Sequence, residues 1–189
     1  MKNLTIPFFS VFVFAICLGI ISCSNPSSKS AESVEEEAVK EVKERASPLK
    51  SSSGLVKGKE ITVQYGAPSV KGRVIWGDLV PYGEVWRTGA NEATNVNFAS
   101  DVLVEGEMVK AGKYSLFTIP RENEPWTVIL NADWDLEHGH FQYNEENDVL
   151  RVAVNPTFGS SNQESLTIEV VSEGLEIKWE KAKVLVNIE

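Results

Sequence analysis

From residue 55 onward, short runs of β-branched and aromatic residues alternate with turn residues at intervals of roughly 8–12 positions, the pattern of an all-β domain. The runs fall at 61–65, 73–76, 94–98, 102–104, 107–109, 113–119, 126–130 and 149–154, with a terminal meander at 166–171, 175–179 and 184–188. Alternation is clean at 94–98, where Val96 and Phe98 share one face. Glu105-Gly106 and Glu173-Gly174 read as tight turns between runs. No apolar stripe of helical period and useful length follows Gly54. Roughly nine strands in a domain of about 135 residues predict a two-sheet antiparallel β-sandwich, with a jelly-roll-like variant or a closed barrel as alternatives. Nothing in the pattern fixes the strand order.

The 77–94 segment, Gly-Asp-Leu-Val-Pro-Tyr-Gly-Glu-Val-Trp-Arg-Thr-Gly-Ala-Asn-Glu-Ala-Thr, breaks this rhythm. It is too long for a hairpin turn and too rich in large aromatics for a solvated loop. Loops of this kind are usually functional or packed by their own side chains.

Before residue 55 the pattern differs. Lys2 precedes an apolar run at 6–21 that is broken only by Pro7, Ser10 and Gly19 and ends in small residues. A spanning helix needs about 20 apolar residues, so cleavage fits this run better than a permanent span. Ile20-Ile21-Ser22-Cys23 resembles the lipobox of bacterial lipoproteins. That resemblance implies removal of residues 1–22 and lipidation of Cys23; an ordinary secretory signal with a chance cysteine is the alternative. Only 2 cysteines occur. Cys17 would leave with the signal and Cys23 would carry lipid, so no disulfide is expected.

Residues 24–54 contain no aromatic residue and are rich in Ser, Glu and Lys. Such a composition buries too little apolar surface to offset chain ordering. A stretch at 32–45 is helix-capable, with a Ser33/Glu36 capping box and Glu36/Lys40 and Glu41/Arg45 pairs, yet it is short for an isolated helix. The expected organisation is therefore a signal at 1–22, a lipidated Cys23 and flexible tether at 23–54, and a β-sandwich at 55–189. As a coil, the tether would separate anchor and domain by roughly 30 Å.

Several stretches together resemble one bacterial family. They are Tyr65-Gly-Ala-Pro-Ser-Val-Lys-Gly-Arg73, residues 77–81, Trp86-Arg-Thr-Gly-Ala-Asn-Glu-Ala-Thr94, Ala111-Gly-Lys-Tyr-Ser-Leu-Phe-Thr-Ile-Pro120 and Trp126-Thr-Val-Ile-Leu-Asn131. The family is catalogued as domain of unknown function 2911 and is common in Bacteroidota. The likeness covers about residues 61–189. It implies an exported, β-rich domain and supplies no catalytic residues to carry over.

The net charge is −9, and loss of Lys2 with the signal makes the chain more acidic still. Such a chain repels phosphate backbones, which excludes nucleic acid as a partner. It also repels anionic lipid heads, so acyl chains are expected to hold the protein to the membrane. Residues 24–29 are neutral to basic, and the acidic run that surface-exported lipoproteins of this group carry there is missing. The expected location is the periplasmic face of the outer membrane.

The leading site candidate is Trp76, Tyr82, Trp86, Arg87, Asn91 and Glu92, in and beside the unusual segment. Aromatic faces stack on the C–H faces of a polar ring ligand such as a sugar, while Asn, Arg and Glu fix hydroxyls. In the structural alternative, Trp86 fills the core and Arg87 pairs with Glu92. Asp133, Asp135, Glu137, His138 and His140 are dense enough in donors to suggest a metal, but His138-Gly-His140 lacks helical i,i+4 spacing, and Trp134 and Leu136 would serve as core residues between exposed acids. No metal or cofactor is expected. An envelope hydrolase using Glu92 or Glu84 with Arg87 is the other functional class, and Asp78 and Asp133 are further carboxylates for glycan cleavage. Arg73 and Arg151 sit beside apolar runs and are expected to find carboxylate partners. The sum is a non-catalytic binding or scaffold module for a small polar or glycan-like ligand.

Overall fold

The computed structural model describes residues 45–189. The apolar run, the lipobox with Cys23 and nearly all of the helix-capable stretch lie outside the described residues. Among the described residues ten strands are formed: β1 Leu49–Val56, β2 Lys59–Gly66, β3 Thr94–Phe98, β4 Val102–Val104, β5 Glu107–Val109, β6 Gly112–Ile119, β7 Trp126–Asn131, β8 Asp148–Val154, β9 Thr157–Val171 and β10 Gly174–Asn187. The helical elements among the described residues are single 3-10 turns at Gly139–Gln142 and Glu145–Asn147, and none is long and apolar enough to cross a membrane.

The predicted all-β antiparallel architecture is what the chain adopts. One layer is a six-stranded sheet in the order β1-β2-β3-β6-β7-β8. The second is the β9-β10 hairpin, extended by the β4-β5 hairpin where Val104 bridges Ile188 and Leu103 N–H donates to Glu189 O at 2.7 Å. After β2 the chain crosses between layers: Val70 N–H donates to Glu164 O at 2.7 Å, and Leu166 N–H to Pro68 O at 2.9 Å. The inner faces meet in one core that includes Ile61, Val63, Val96, Phe98, Val128, Leu166, Ile168 and Ile177.

Three of the five tryptophans, Trp86, Trp126 and Trp179, lie in this core, and Trp76 packs against it. Trp76 contacts the rings of Trp86, Trp126 and Trp179 at centroid distances of 5.7, 4.7 and 5.9 Å, and Trp86 stacks on Trp179 at 5.6 Å with 19° between planes. They come from the 71–86 loop, β7 and β10, so the cluster ties both layers to the loop.

The structure corrects five details of the expected map. Residues 49–54, assigned above to the tether, belong to strand β1, so the folded domain begins before residue 55. The polarity of β1 has a cause: Ser52 Oγ accepts from Val170 N–H at 3.1 Å, and a Cβ on Gly54 would lie 3.1 Å from Val170 Cγ1. Where β1 approaches β9, only small residues fit. Residues 73–76 form no strand. Lys71 and Gly72 have positive φ, and the Arg73 guanidinium turns back to Val70 O at 3.1 Å and Ser69 O at 2.5 Å, so its partners are carbonyls and not a carboxylate.

The terminal meander is one long hairpin, and its turn is Ser172-Glu173, one residue earlier than expected. Leu175, Ile177 and Trp179 face inward at odd positions, whereas Ala182, Val184, Val186 and Ile188 do so at even ones. Register shifts around Glu180, at φ 53°, absorb the change. The break in periodicity that suggested two strands is a bulge within one.

Trp179 is almost fully enclosed, so Trp179→Ala is expected to cost about 3–5 kcal/mol. Urea unfolding of the full-length protein, wild type against variant, measures it.

Candidate functional site

The centre of the six-stranded sheet is apolar on both faces. Leu116, Val128 and Leu130 point into the sandwich, while Phe117, Ile119 and Ile129 point outward yet are buried. Two loops cover the outward set through Val85 and Ala93 from one and Leu136 and Tyr143 from the other.

The first loop is held by its own alternation. Trp86 pairs through its backbone with Thr118, N–H to O at 2.8 and 2.9 Å, in the slot beside β6 that β3 has vacated. Trp86 and Thr88 therefore face the core, while Val85 and Arg87 face outward. Thr88 donates to Thr118 Oγ1 at 3.2 Å, and the Trp86 indole N–H donates to Gly89 O at 3.2 Å. Gly66 lets the loop lie directly on β2, since a Cβ there would sit 2.0 Å from Ala90 O.

The second loop is pinned by Asp148. Its carboxylate accepts from Asn131 Nδ2 at 2.8 Å, Tyr143 Oη at 2.6 Å and Arg151 Nε at 2.6 Å, and Arg151 Nη2 also donates to Tyr143 Oη at 2.7 Å. Arg151 thus has its carboxylate. Burial first, and the bond to Asp148 second, push the Tyr143 hydroxyl up to about 12. Ala93 N–H donates to Leu136 O at 3.0 Å and joins the two loops.

The six residues of the leading candidate are divided by this geometry. Trp76 and Trp86 belong to the tryptophan core, and Tyr82 packs against Gly77. Arg87 lies under the second loop and donates to His138 O at 3.3 Å; Gly139 is required there, because a Cβ would fall 2.3 Å from Arg87 Cδ. Burial lowers Arg87 from its ordinary value, against the opposing charge of Glu92. Asn91 is exposed at φ 65°. Glu92 pairs with Arg45 at 2.6 Å. Burial alone would raise its carboxyl, but hydrogen bonds from Arg45 and from its own backbone, with the charges of Arg45 and Arg87, hold it below the usual range.

Glu84 is exposed, as is Asp78, and Asp133 accepts from Asn147 Nδ2 at 2.6 Å. Burial lowers His140, helped by the charge of Arg87. Among the described residues, no group of three or more His, Cys, Asp or Glu side chains is placed to hold a metal ion. Leu136 packs against the outer apolar cluster, but Trp134 is not a core residue: it is 40% exposed, with Lys113 Nζ 3.8 Å from its ring centroid.

What the loops leave open is a polar trough over β1, β2, β3 and β6. Strand register sets Ser51, Gln64, Asn95, Ser115, Asn131 and Asp148 in one row across all six strands. A second row runs Ser53, Thr62, Asn97 and Lys113. The second loop covers the far end of the first row, where Ser115 Oγ donates to Asp133 O and Asn131 Nδ2 donates to Asn144 O at 2.8 Å. Over the near end lie two cavities. One, of about 150 Å³, is bounded by Gln64, Asn95, Glu92 and residues 134–137. The other, of about 230 Å³, is bounded by Ser51, Thr62, Asn95 and Asn97. Asn95 donates to Ala93 O at 2.9 Å, while its buried Oδ1 accepts no hydrogen bond among the described residues.

Of the six predicted site residues, Glu92 alone borders these cavities. Gln64, Asn95, Asn97, Lys113 and Trp134 were not predicted. The one available signal was at 94–98, whose alternation places two amides opposite Val96 and Phe98.

The fold and this face define an antiparallel β-sandwich with a polar, side-chain-lined trough on its outer sheet surface. The chain belongs to the family described as "Protein of unknown function (DUF2911)", whose model matches residues 47–188. No curated protein and no solved structure matches it.

Two measurements test this account of the site. Asp148→Ala removes the shared acceptor of three donors and is expected to cost about 2–3 kcal/mol in urea unfolding. Glu92 titrates below its ordinary value when folded, so its pair with Arg45 contributes fully at neutral pH. That contribution fades as pH falls from about 4.3 through the lower folded value. Both side chains are more than a third exposed, at 38% and 42%, so it is worth less than about 1 kcal/mol. Glu92→Gln should flatten the acid limb of the urea midpoint against pH.

Proposed function

We propose that this protein is a lipid-anchored, non-catalytic binding module of the cell envelope, on the periplasmic face of the outer membrane, and that the trough holds a small polar or glycan-like ligand. The observation that carries the reading is the trough's lining: amides from Gln64, Asn95 and Asn97, hydroxyls from Ser51 and Thr62, and the exposed indole of Trp134. A sugar ring presents hydroxyl edges to amides and a C–H face to an indole. Asn95 Oδ1 is buried without a partner among the described residues; leaving such an atom unmet costs about 1–3 kcal/mol, and a ligand hydroxyl would satisfy it once the amide turns toward the trough. The anchor rests on Ile20-Ile21-Ser22-Cys23.

A thermal-shift screen of the full-length protein against common mono- and disaccharides, with dipeptides as controls, tests the binding role. At least one sugar should raise the Tm, and Trp134→Ala and Asn95→Ala should each abolish the rise; a rise kept in both variants would remove the trough from consideration. Labelled palmitate should enter the protein and be lost in Cys23→Ala. Protease applied to intact cells should spare the domain, and its removal would move the protein to the outer surface.

A further inference from the structure

We infer that the trough takes an uncharged, linear oligosaccharide laid along the strands across two subsites. The inference rests on the binding-module reading above and narrows it to one ligand class. The two cavities share Gln64, Asn95 and Lys113 as a common wall, so they are successive stations of one channel. Along β2 the channel runs from Gly66 to Thr62, about 14 Å at the rise of a β-strand. That is longer than a single hexose ring. Trp134 stands at one station only, where a sugar ring stacking on the indole face that Lys113 Nζ covers would displace that ammonium. The other station is bounded by Thr62, Asn97 and Ser51, which suit the hydroxyl edge of a following ring.

The lining also discriminates among polymers. An extended peptide is usually bound by adding a strand to a free sheet edge. Here the floor strands β2, β3 and β6 are paired on both sides within the sheet and offer only side chains, while β1, the edge strand that contributes Leu49 and Ser51, is where a peptide would have to add. Glu92, Asp135 and Glu137 outnumber Lys113 among the charged lining residues, and the whole chain carries −9. A uronic-acid or sulfated chain would meet net repulsion at close range, whereas an uncharged chain would not.

Calorimetric titration of the full-length protein in detergent micelles tests this. The probes are β-1,4-linked glucose and N-acetylglucosamine oligomers of one to six units, with galacturonic acid oligomers as the acidic counterpart. At least one neutral series should bind, its affinity rising at least tenfold from monomer to tetramer and then levelling. Asn97→Ala, on the solvent side of β3, should bring the tetramer down toward the monomer without moving the monomer, while Trp134→Ala should weaken both. Equal affinity for monomer and tetramer, or preference for the acidic series, would overturn the oligosaccharide inference and leave the small-ligand trough standing. Binding unchanged in both variants would overturn the trough itself. No uptake of any neutral oligomer would sink the inference outright.

Discussion

Strands β6 and β7 carry apolar side chains toward both sides of the sheet, and the outer arrangement of the molecule follows from the need to cover them. Phe117 and Ile129 sit near the middle of a six-stranded sheet whose other face is already occupied by the sandwich core. Leaving them in water would forfeit about 1.5–3 kcal/mol each. The two covering loops must in turn satisfy their own backbone and polar groups. Ala93 bonded to Leu136 O, and Asp148 collecting Asn131, Tyr143 and Arg151, meet much of that need. Covering stops where the apolar residues stop. Beyond them Gln64, Asn95, Asn97 and Lys113 need no shielding, and the sheet stays open.

Trp86 connects this outer layer to the interior. Its backbone completes the strand position beside β6, and its ring lies on Trp179 from the opposite layer. Val85 and Arg87, on either side of it, then fall on the outer face, so one residue's anchoring sets the orientation of its neighbours. The core tolerates a polar penalty to do this: the indole nitrogens of Trp76 and Trp179 are buried without partners among the described residues. Their bulk fills the space between layers that no smaller set of residues from the same positions would fill.

Much of the fold was legible because the pattern of apolar residues reports burial directly. Thr94–Phe98, Val102–Val104 and Glu107–Val109 have the predicted limits, and each shows alternation or a tight turn in its sequence. β1 was illegible because closeness to β9 demands Ser52 and Gly54, residues that read as spacer. The odd-to-even change in β10 was visible at Trp179 and Ala182, but a bulge and a turn interrupt periodicity in the same way. The trough was hidden for another reason. Ser51, Gln64, Asn95 and Lys113 come from four strands and become neighbours only through sheet register, which local pattern does not encode. The Trp-Arg-Thr-Gly-Ala-Asn-Glu run drew notice by its composition, yet its residues separate into core and outer face because successive side chains of an extended segment point opposite ways.

β1 has a consequence for how the domain can be handled and how it has to be made. Composition alone invites a cut at Gly54, and a chain trimmed there would lose most of a strand that pairs with β2 from Leu49 to Val56. β2, rich in Ile61, Val63 and Tyr65 and next to β1 in the sheet, would then stand as a bare edge, a template for edge-to-edge association between chains. The backbone of β1 takes up the hydrogen-bonding edge of β2, and Ser52 ties that strand to β9 through Val170 N–H. Solubility of the domain therefore depends on a stretch that, read by composition, looks expendable.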